Sequence, residues 1–442
     1  MRVAFVLAVV VPALPAVVFA QQGPPVQPTS PAPATAPSRP STGTPPSARV
    51  TLDEALRLAL LHNHALQAAR STILQSQALE TTANLRPNPV LSWDAQFLPI
   101  FEPNKFTADF IDSQAQFDAG LAYTFEIGGK RQHRLRAARD VTAATRSTVD
   151  DNERTLSFNV GQQFVAAVLA SSTVDFTQQD LESFQKSVDI SETRYKAGAI
   201  SEGDLLKIKL QMLQFQNDVL SAKLAKIQAL SALRQLLGFE SVPDDYDVEG
   251  KLEHAPVHAS LDDLKALALR TRPDLRAAEQ NVTAAQSAAQ LAEVNRKRDL
   301  TTTFTYSHVA STSTGAIFFN IQLPFFDRNQ GEIARTRYVI TQDEQLAAET
   351  SQQVLTDVVN AYQNLRTSEQ IVELYEGGYV DQAIKSRDIS EYAYKRGAAS
   401  LLDYLDSERT YRANQLAYRQ ALATYMTALE QMRQAEGTRN LP

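Results

Sequence analysis

Six histidines and no cysteine limit the chemistry open to this 442-residue chain. Without cysteine there is no disulfide, thiol nucleophile, thiolate metal site or thiol for lipid attachment. His62 and His64 stand two apart, so a helix turns them to different faces. His254 and His258 are four apart, a spacing that suits a shared metal on a helix, but they lie in a proline-containing stretch. His133 follows Gly128-Gly129-Lys130 at the start of a long helical pattern and reads as a solvated polar residue. A His-Glu-x-x-His zinc motif, a Gly-x-Ser-x-Gly elbow and a phosphate-binding glycine loop are all absent. No catalytic residue, metal ligand or cofactor is assigned, and an enzyme is not expected. A formal charge of −7, from 43 basic and 50 acidic residues, argues against a general nucleic-acid binder.

What chemistry remains must be positioned by repeats. Residues 51–69, TLDEALRLALLHNHALQAA, align without a gap to 260–278, SLDDLKALALRTRPDLRAA. YKAGAISEGDLL at 195–206 aligns likewise with YKRGAASLLDYL at 394–405. Two blocks in the same order make the chain two tandem copies of one unit, residues 50–237 and 260–442, joined by a linker at 238–259. Each copy reads as a helix (51–86; 260–298), a very long helix (130–196; 328–396), a reversal at Gly198 or Gly397, and a returning helix (205–237; 401–436). A helix over 130–196 spans about 100 Å, a length that implies coiled-coil packing or a tall bundle. Ahead of these units, residues 1–20 read as a secretory signal cut after Ala20. Residues 21–49 follow as a disordered leader, with nine prolines between positions 24 and 46.

Between the first two helices of each copy the period changes from 3.6 to 2. Leu91, Trp93, Ala95 and Phe97 alternate with polar residues, as do Phe117, Leu121, Tyr123 and Phe125. The second copy gives Phe304 and Tyr306, then Ile317, Phe319 and Ile321. These segments, about 88–127 and 299–324, read as two β-hairpins, with Pro99 and Pro103 in the loop of the first and Gly315 near that of the second. Their length approaches the ~9–11 residues of a membrane-spanning strand. A soluble sheet packed on helices also alternates, so pattern alone leaves both readings open. Strands in lipid cannot keep open edges, because each unpaired backbone group there costs several kcal/mol. Four strands are too few to close when the smallest bacterial barrels use about eight, so several copies would have to share one wall.

The blocks TLDEAL at 51–56, RYKAGAISEGDLL at 194–206 and AYKRGAASLLDYL at 393–405 resemble the TolC family of outer-membrane efflux proteins, and the resemblance covers most of residues 50–437. It implies a mainly α protein with a β-barrel part. Such a protein is a homotrimer whose twelve-stranded barrel, four strands per chain, lies in the outer membrane of a Gram-negative bacterium above a coiled-coil α-helical tunnel through the periplasm. The implied partners are outer-membrane lipid, a periplasmic adaptor (membrane fusion protein) and an inner-membrane pump of the RND type. FEIGGKR at 125–131, with Glu126 where many members carry proline, looks like the CzcC-type heavy-metal branch. Multidrug or small-organic export is the alternative within the family, and a periplasmic coiled-coil scaffold or adaptor is the alternative outside it.

The resemblance also assigns residues. It places an acidic channel constriction at Asp403 and Asp406, whose i, i+3 spacing sets both carboxylates on one helical face. It pairs Tyr394 with Asp204 as a gate link, while Ala399 stands where some members carry a latch arginine. Gly198 and Gly397 become the periplasmic tip turns. The lipid-facing barrel positions are Leu91, Trp93, Phe97, Tyr123, Phe125, Phe304, Tyr306, Ile317, Phe319 and Ile321.

Overall fold

A computed structural model describes residues 48–257 and 259–439. The expected signal sequence, nearly all of the proline-rich leader and His258 lie outside the described residues. Among those described, no helix is long and apolar enough to cross a membrane.

The chain begins with a short strand, β1 (Arg49–Val50), and two helices, α1 (Leu52–His62) and α2 (His64–Ala83). Strand β2 (Val90–Gln96) leads through a long loop holding α3 (Ala108–Gln114) to β3 (Gln116–Phe125). Helix α4 (Lys130–Lys196) then runs unbroken to the Gly198 turn, and α5 (Glu202–Leu237) returns. After β4 (Asp247–Val248) the plan repeats with α6 (Leu261–Thr271), α7 (Pro273–Asn295), β5 (Leu300–Val309), β6 (Thr312–Ile321), α8 (Gln330–Leu374), α9 (Val380–Arg396) and α10 (Leu401–Glu436). β1 pairs in parallel with β4, so the linker is tied to the start of the first copy.

Three sequence expectations are corrected here. The helices read as continuous over 51–86 and 260–298 are each broken in two. Asn63 leaves helical geometry at ψ 116° and caps α2 by accepting from Leu66 N at 3.0 Å. In the second copy Arg272 takes the same place because Pro273 opens α7, and a residue before proline is pushed out of the α region. The helix read as continuous over 328–396 opens into one wide turn at Tyr375–Tyr379, where Gly378 sits at φ 122°. The second hairpin turns at Ala310-Ser311, both at positive φ, and Gly315 instead lies within β6 opposite Tyr306.

Each copy builds its own core at the end near its first helix. Phe164, Val160, Leu233 and Leu237 close around α1 in the first, and Val354, Val358, Tyr425 and Met432 around α6 in the second. A third core, near the glycine turns, is shared between copies and includes Phe184, Phe215, Tyr394 and Tyr404.

Candidate functional site

The four long strands form one antiparallel sheet in the order β2-β3-β5-β6, so the hairpins of the two copies join at β3 and β5. Directly paired residues share a face, and the register lets that face be followed across all four strands. Leu91 pairs with Leu121, Leu121 with Phe304, and Phe304 with Ile317. Trp93, Tyr123, Phe125, Tyr306, Phe319 and Ile321 fall on the same face. Nearly all of this face is open: Leu91 is 78% exposed, Trp93 72% and Phe319 69%. Phe97 does not belong to it, since β2 ends at Gln96 and Phe97 turns the chain at φ 56°. On the other face stand Asp94, Gln96, Asp118, Thr301, Thr303 and Asn320, with Phe318 its one aromatic strand residue. Here Gln116 Nε2 donates to Asp118 at 2.7 Å, and the Thr124 and Thr301 hydroxyls meet at 3.0 Å. One side therefore suits hydrocarbon and the other water. The outer edges of β2 and β6 have no partner among the described residues.

At the opposite end of the helices, Gly198 and Gly397 take left-handed geometry at φ 73° and 75°, as two helix reversals require. Each is followed by the same cap. Ser201 Oγ accepts from Asp204 N and donates to its carboxylate, and Ser400 Oγ does the same with Asp403. Asp204 and Asp403 are thus equivalent capping residues. Asp406, one turn on, is exposed and has no partner among the described residues.

Beside the turns, Tyr394 and Asp204 line one cavity of about 460 Å³, but they do not bond to each other within the protomer. The Tyr394 hydroxyl meets Ser191 Oγ at 2.9 Å, and Asp204 is engaged by its cap. In the same cavity as Ala399, Arg194 of the first copy lies over the Tyr394 ring and donates to the Tyr394 carbonyl at 2.6 Å. Tyr394 stacks on Tyr404, and Phe184 bridges Tyr404 to Phe215, so an aromatic column crosses all four helices of the pair.

Above this column lies a charged cluster that spacing alone gave no means to find. Asp180 of α4 and Glu408 of α10 are buried against each other, with Arg412 as their cation. Arg412 Nε approaches Asp180 at 2.6 Å, its Nη2 donates to Asp218 of α5 at 2.7 Å, and its guanidinium covers Phe215. Arg387 and Glu391 of α9 face the same pocket. Burial pushes both acids upward, and the facing Asp180 adds to the effect on Glu408, which reaches about 8. Arg412 pulls Asp180 back toward the charged form, while Glu408 is pushed further up by the carboxylate it faces. The cluster bolts α10 of the second copy to α4 and α5 of the first.

The histidines are dispersed. His62 ends α1 and His64 begins α2, and His254 Nδ1 meets Glu376 at 3.1 Å beside the wide turn. No group of three or more His, Asp or Glu arranged to hold a metal occurs among the described residues.

A sheet with one apolar face and one polar face, set on two copies of a long helical hairpin, is the arrangement of a membrane-wall protein. The family described as "Outer membrane efflux protein" matches residues 55–239 and 264–438, and the chain belongs to that family. It is an outer-membrane protein of the TolC type. It is 24% identical over 384 residues to the cobalt-zinc-cadmium resistance protein CzcC of Cupriavidus metallidurans, covering 86% of this chain and 88% of that one. Over 385 residues it is also 24% identical to the pyoverdine export outer membrane protein OpmQ of Pseudomonas aeruginosa, covering 82% and 80%. Among solved structures it shares the fold of the open-state MtrE outer membrane channel of Neisseria gonorrhoeae, with TM-score 0.72, 18% identity and 88% and 89% of the two chains covered. It likewise resembles the outer membrane protein VceC of Vibrio cholerae, with TM-score 0.70, 19% identity and 88% and 96% covered.

Proposed function

We propose that three copies of this chain assemble into a passive exit duct that carries substrate handed over by an inner-membrane pump through a periplasmic adaptor. The observation that carries this reading is the open sheet. Its apolar face calls for lipid, and unpaired edge groups in lipid cost several kcal/mol each, so neighbouring copies must supply the missing strands. A second feature agrees. On α5, Leu206, Leu210, Leu213, Leu220, Leu224 and Ile227 recur at alternating steps of three and four, interrupted once by Asn217, and all six are exposed. That is a coiled-coil seam with one polar register-setting position, left uncovered by the described residues of its own protomer.

At the mouth, Asp406 from each copy would ring the axis and concentrate cations. Asp403 joins it only as far as its cap allows. For the substrate we favour heavy-metal cations, on the strength of the FEIGGKR segment and the likeness to CzcC. The equal identity to OpmQ keeps multidrug or small-organic export as the second reading. A strain lacking this chain should become sensitive to zinc, cobalt or cadmium and recover on complementation. Unchanged metal tolerance with new sensitivity to organic compounds would favour the second reading, and no phenotype of either kind would count against efflux.

A further inference from the structure

We infer that the junction between sheet and helices is a binding collar for the phosphate headgroups of anionic phospholipids, with one built subsite between Arg86 and Arg131. The inference rests on the reading that the apolar sheet face meets lipid. Where helix meets strand, the loops 84–89, 126–129, 296–299 and 322–329 together with the first two turns of α4 (130–137) and α8 (330–337) hold eleven basic and four acidic residues in a chain whose overall charge is −7. All four acids are already paired: Glu126 with Arg134, Asp299 with Lys130, Asp327 with Arg298 and Glu332 with Arg335. Glu293, just outside the collar, takes Arg337. Six cations, Arg86, Arg131, Arg136, Arg296, Lys297 and Arg328, have no carboxylate partner among the described residues, and all but the half-buried Arg131 are exposed.

Large apolar side chains stand exposed at the same level, among them Leu85, Ile127, Leu323, Phe325 and Phe326, the last 94% open. An acidic protein partner would not call for this mixture. A bilayer interface does, because aromatic rings settle at headgroup depth while Arg and Lys reach for phosphate. The two kinds of residue meet in a cavity of about 280 Å³. Its walls include Tyr123 and Phe125 from the end of the lipid-facing strand and Arg86 and Arg131 from the collar. Its other charged groups, Glu126 and Lys130, are tied to Arg134 at 2.7 Å and Asp299 at 2.8 Å, so the two arginines are left for a ligand. A phosphodiester there would lie between the guanidinium groups with its acyl chain running along the aromatic edge.

The test uses the full-length protein in vesicles of phosphatidylcholine alone or mixed with phosphatidylglycerol, reading the lipids that remain bound on extraction by native mass spectrometry. Flotation with both kinds of vesicle tests the lipid-facing reading first, and a chain that floats with neither defeats that reading and this one together. Each cation near a membrane surface is worth roughly a five-fold change in affinity. Wild-type protein should therefore retain phosphatidylglycerol over phosphatidylcholine, and the Arg86→Gln, Arg131→Gln double variant should lose about twenty-five-fold of that preference while still floating. The Arg136→Gln, Arg296→Gln pair removes the same charge from the collar outside the cavity and should lower the preference by much less, because neither arginine touches the bound phosphate. Equal retention of both lipids by wild type, an unchanged preference in the first double variant, or equal losses in both double variants would overturn the site. Displacement by millimolar inorganic phosphate would mean a free-anion site and overturn the lipid assignment.

Discussion

The two returning helices, α5 and α10, have the same length of 36 residues and descend from the same repeat, yet they solve opposite problems. At matching positions 199 residues apart, α5 carries Leu210, Leu213 and Leu220 where α10 carries Arg409, Arg412 and Arg419. The leucines lie open to solvent in the protomer, with Leu210 68% exposed. Arg412 and Arg419 instead lie over Phe215 and Phe176 inside it, and Arg412 is held by Asp180 and Asp218. Duplication supplied two equal edges. Ion pairs and ring contacts fill one within the chain, and the other stays apolar and open.

The largest effect should come from charging the open edge. Leu213→Asp with Leu220→Asp forfeits about 1.5–3 kcal/mol of burial per leucine and adds unpaired charge at every contact between copies. Assembly should fail while each protomer keeps its helical circular-dichroism spectrum. A stable oligomer of unchanged mass on light scattering would show that the seam is not an interface. The reciprocal change on α10, Arg412→Met, leaves Asp180 buried without its cation and should cost about 3–5 kcal/mol of protomer stability. A fall in midpoint of only a degree or two would mean that α10 is held by packing alone.

A smaller, pH-dependent effect sharpens the same contrast. The folded state holds the Glu408 proton up to about 8, whereas an unfolded chain releases it near the ordinary glutamate value of 4.5. Folding is therefore favoured most below that lower value, and the advantage drains away as pH rises through about 8. Glu408→Gln keeps the donor and loses the titration, so its stability should be flatter between pH 5 and 9 than that of wild type. Parallel profiles would remove Glu408 from the clamp. The smallest difference is expected at the turns. Alanine at Gly198 or Gly397 costs about 1 kcal/mol for its left-handed backbone. Gly397→Ala should cost more, because its Cβ would fall 3.2 Å from Arg194 Nη2 whereas Gly198 has nothing within 4 Å.

Much of this was legible in the sequence, for reasons that particular residues make plain. Helix α4 runs from Lys130 to Lys196 as its lack of proline suggests, because glycines mark both ends. The strand alternation transferred directly to one face because pairing preserves a period of two. Phe97 misled because alternation continues one residue past the point where the backbone turns. The break at Asn63 was hidden because apolar periodicity persists on both sides of it. Arg272 is different, since Pro273 announces that break to anyone who weighs the restriction on the residue before proline. The Asp180–Arg412 bolt spans 232 positions, and no local period reports such a contact. Leu213 and its neighbours show a further limit: the sequence displays the heptad, but only the fold shows that the protomer leaves it uncovered.

Native mass spectrometry of the wild-type chain extracted from outer membranes tests most directly whether copies complete one another's walls. The account predicts a single species of three chains, whose four strands apiece suffice to close a barrel. A monodisperse single chain, stable in water without detergent, would contradict it.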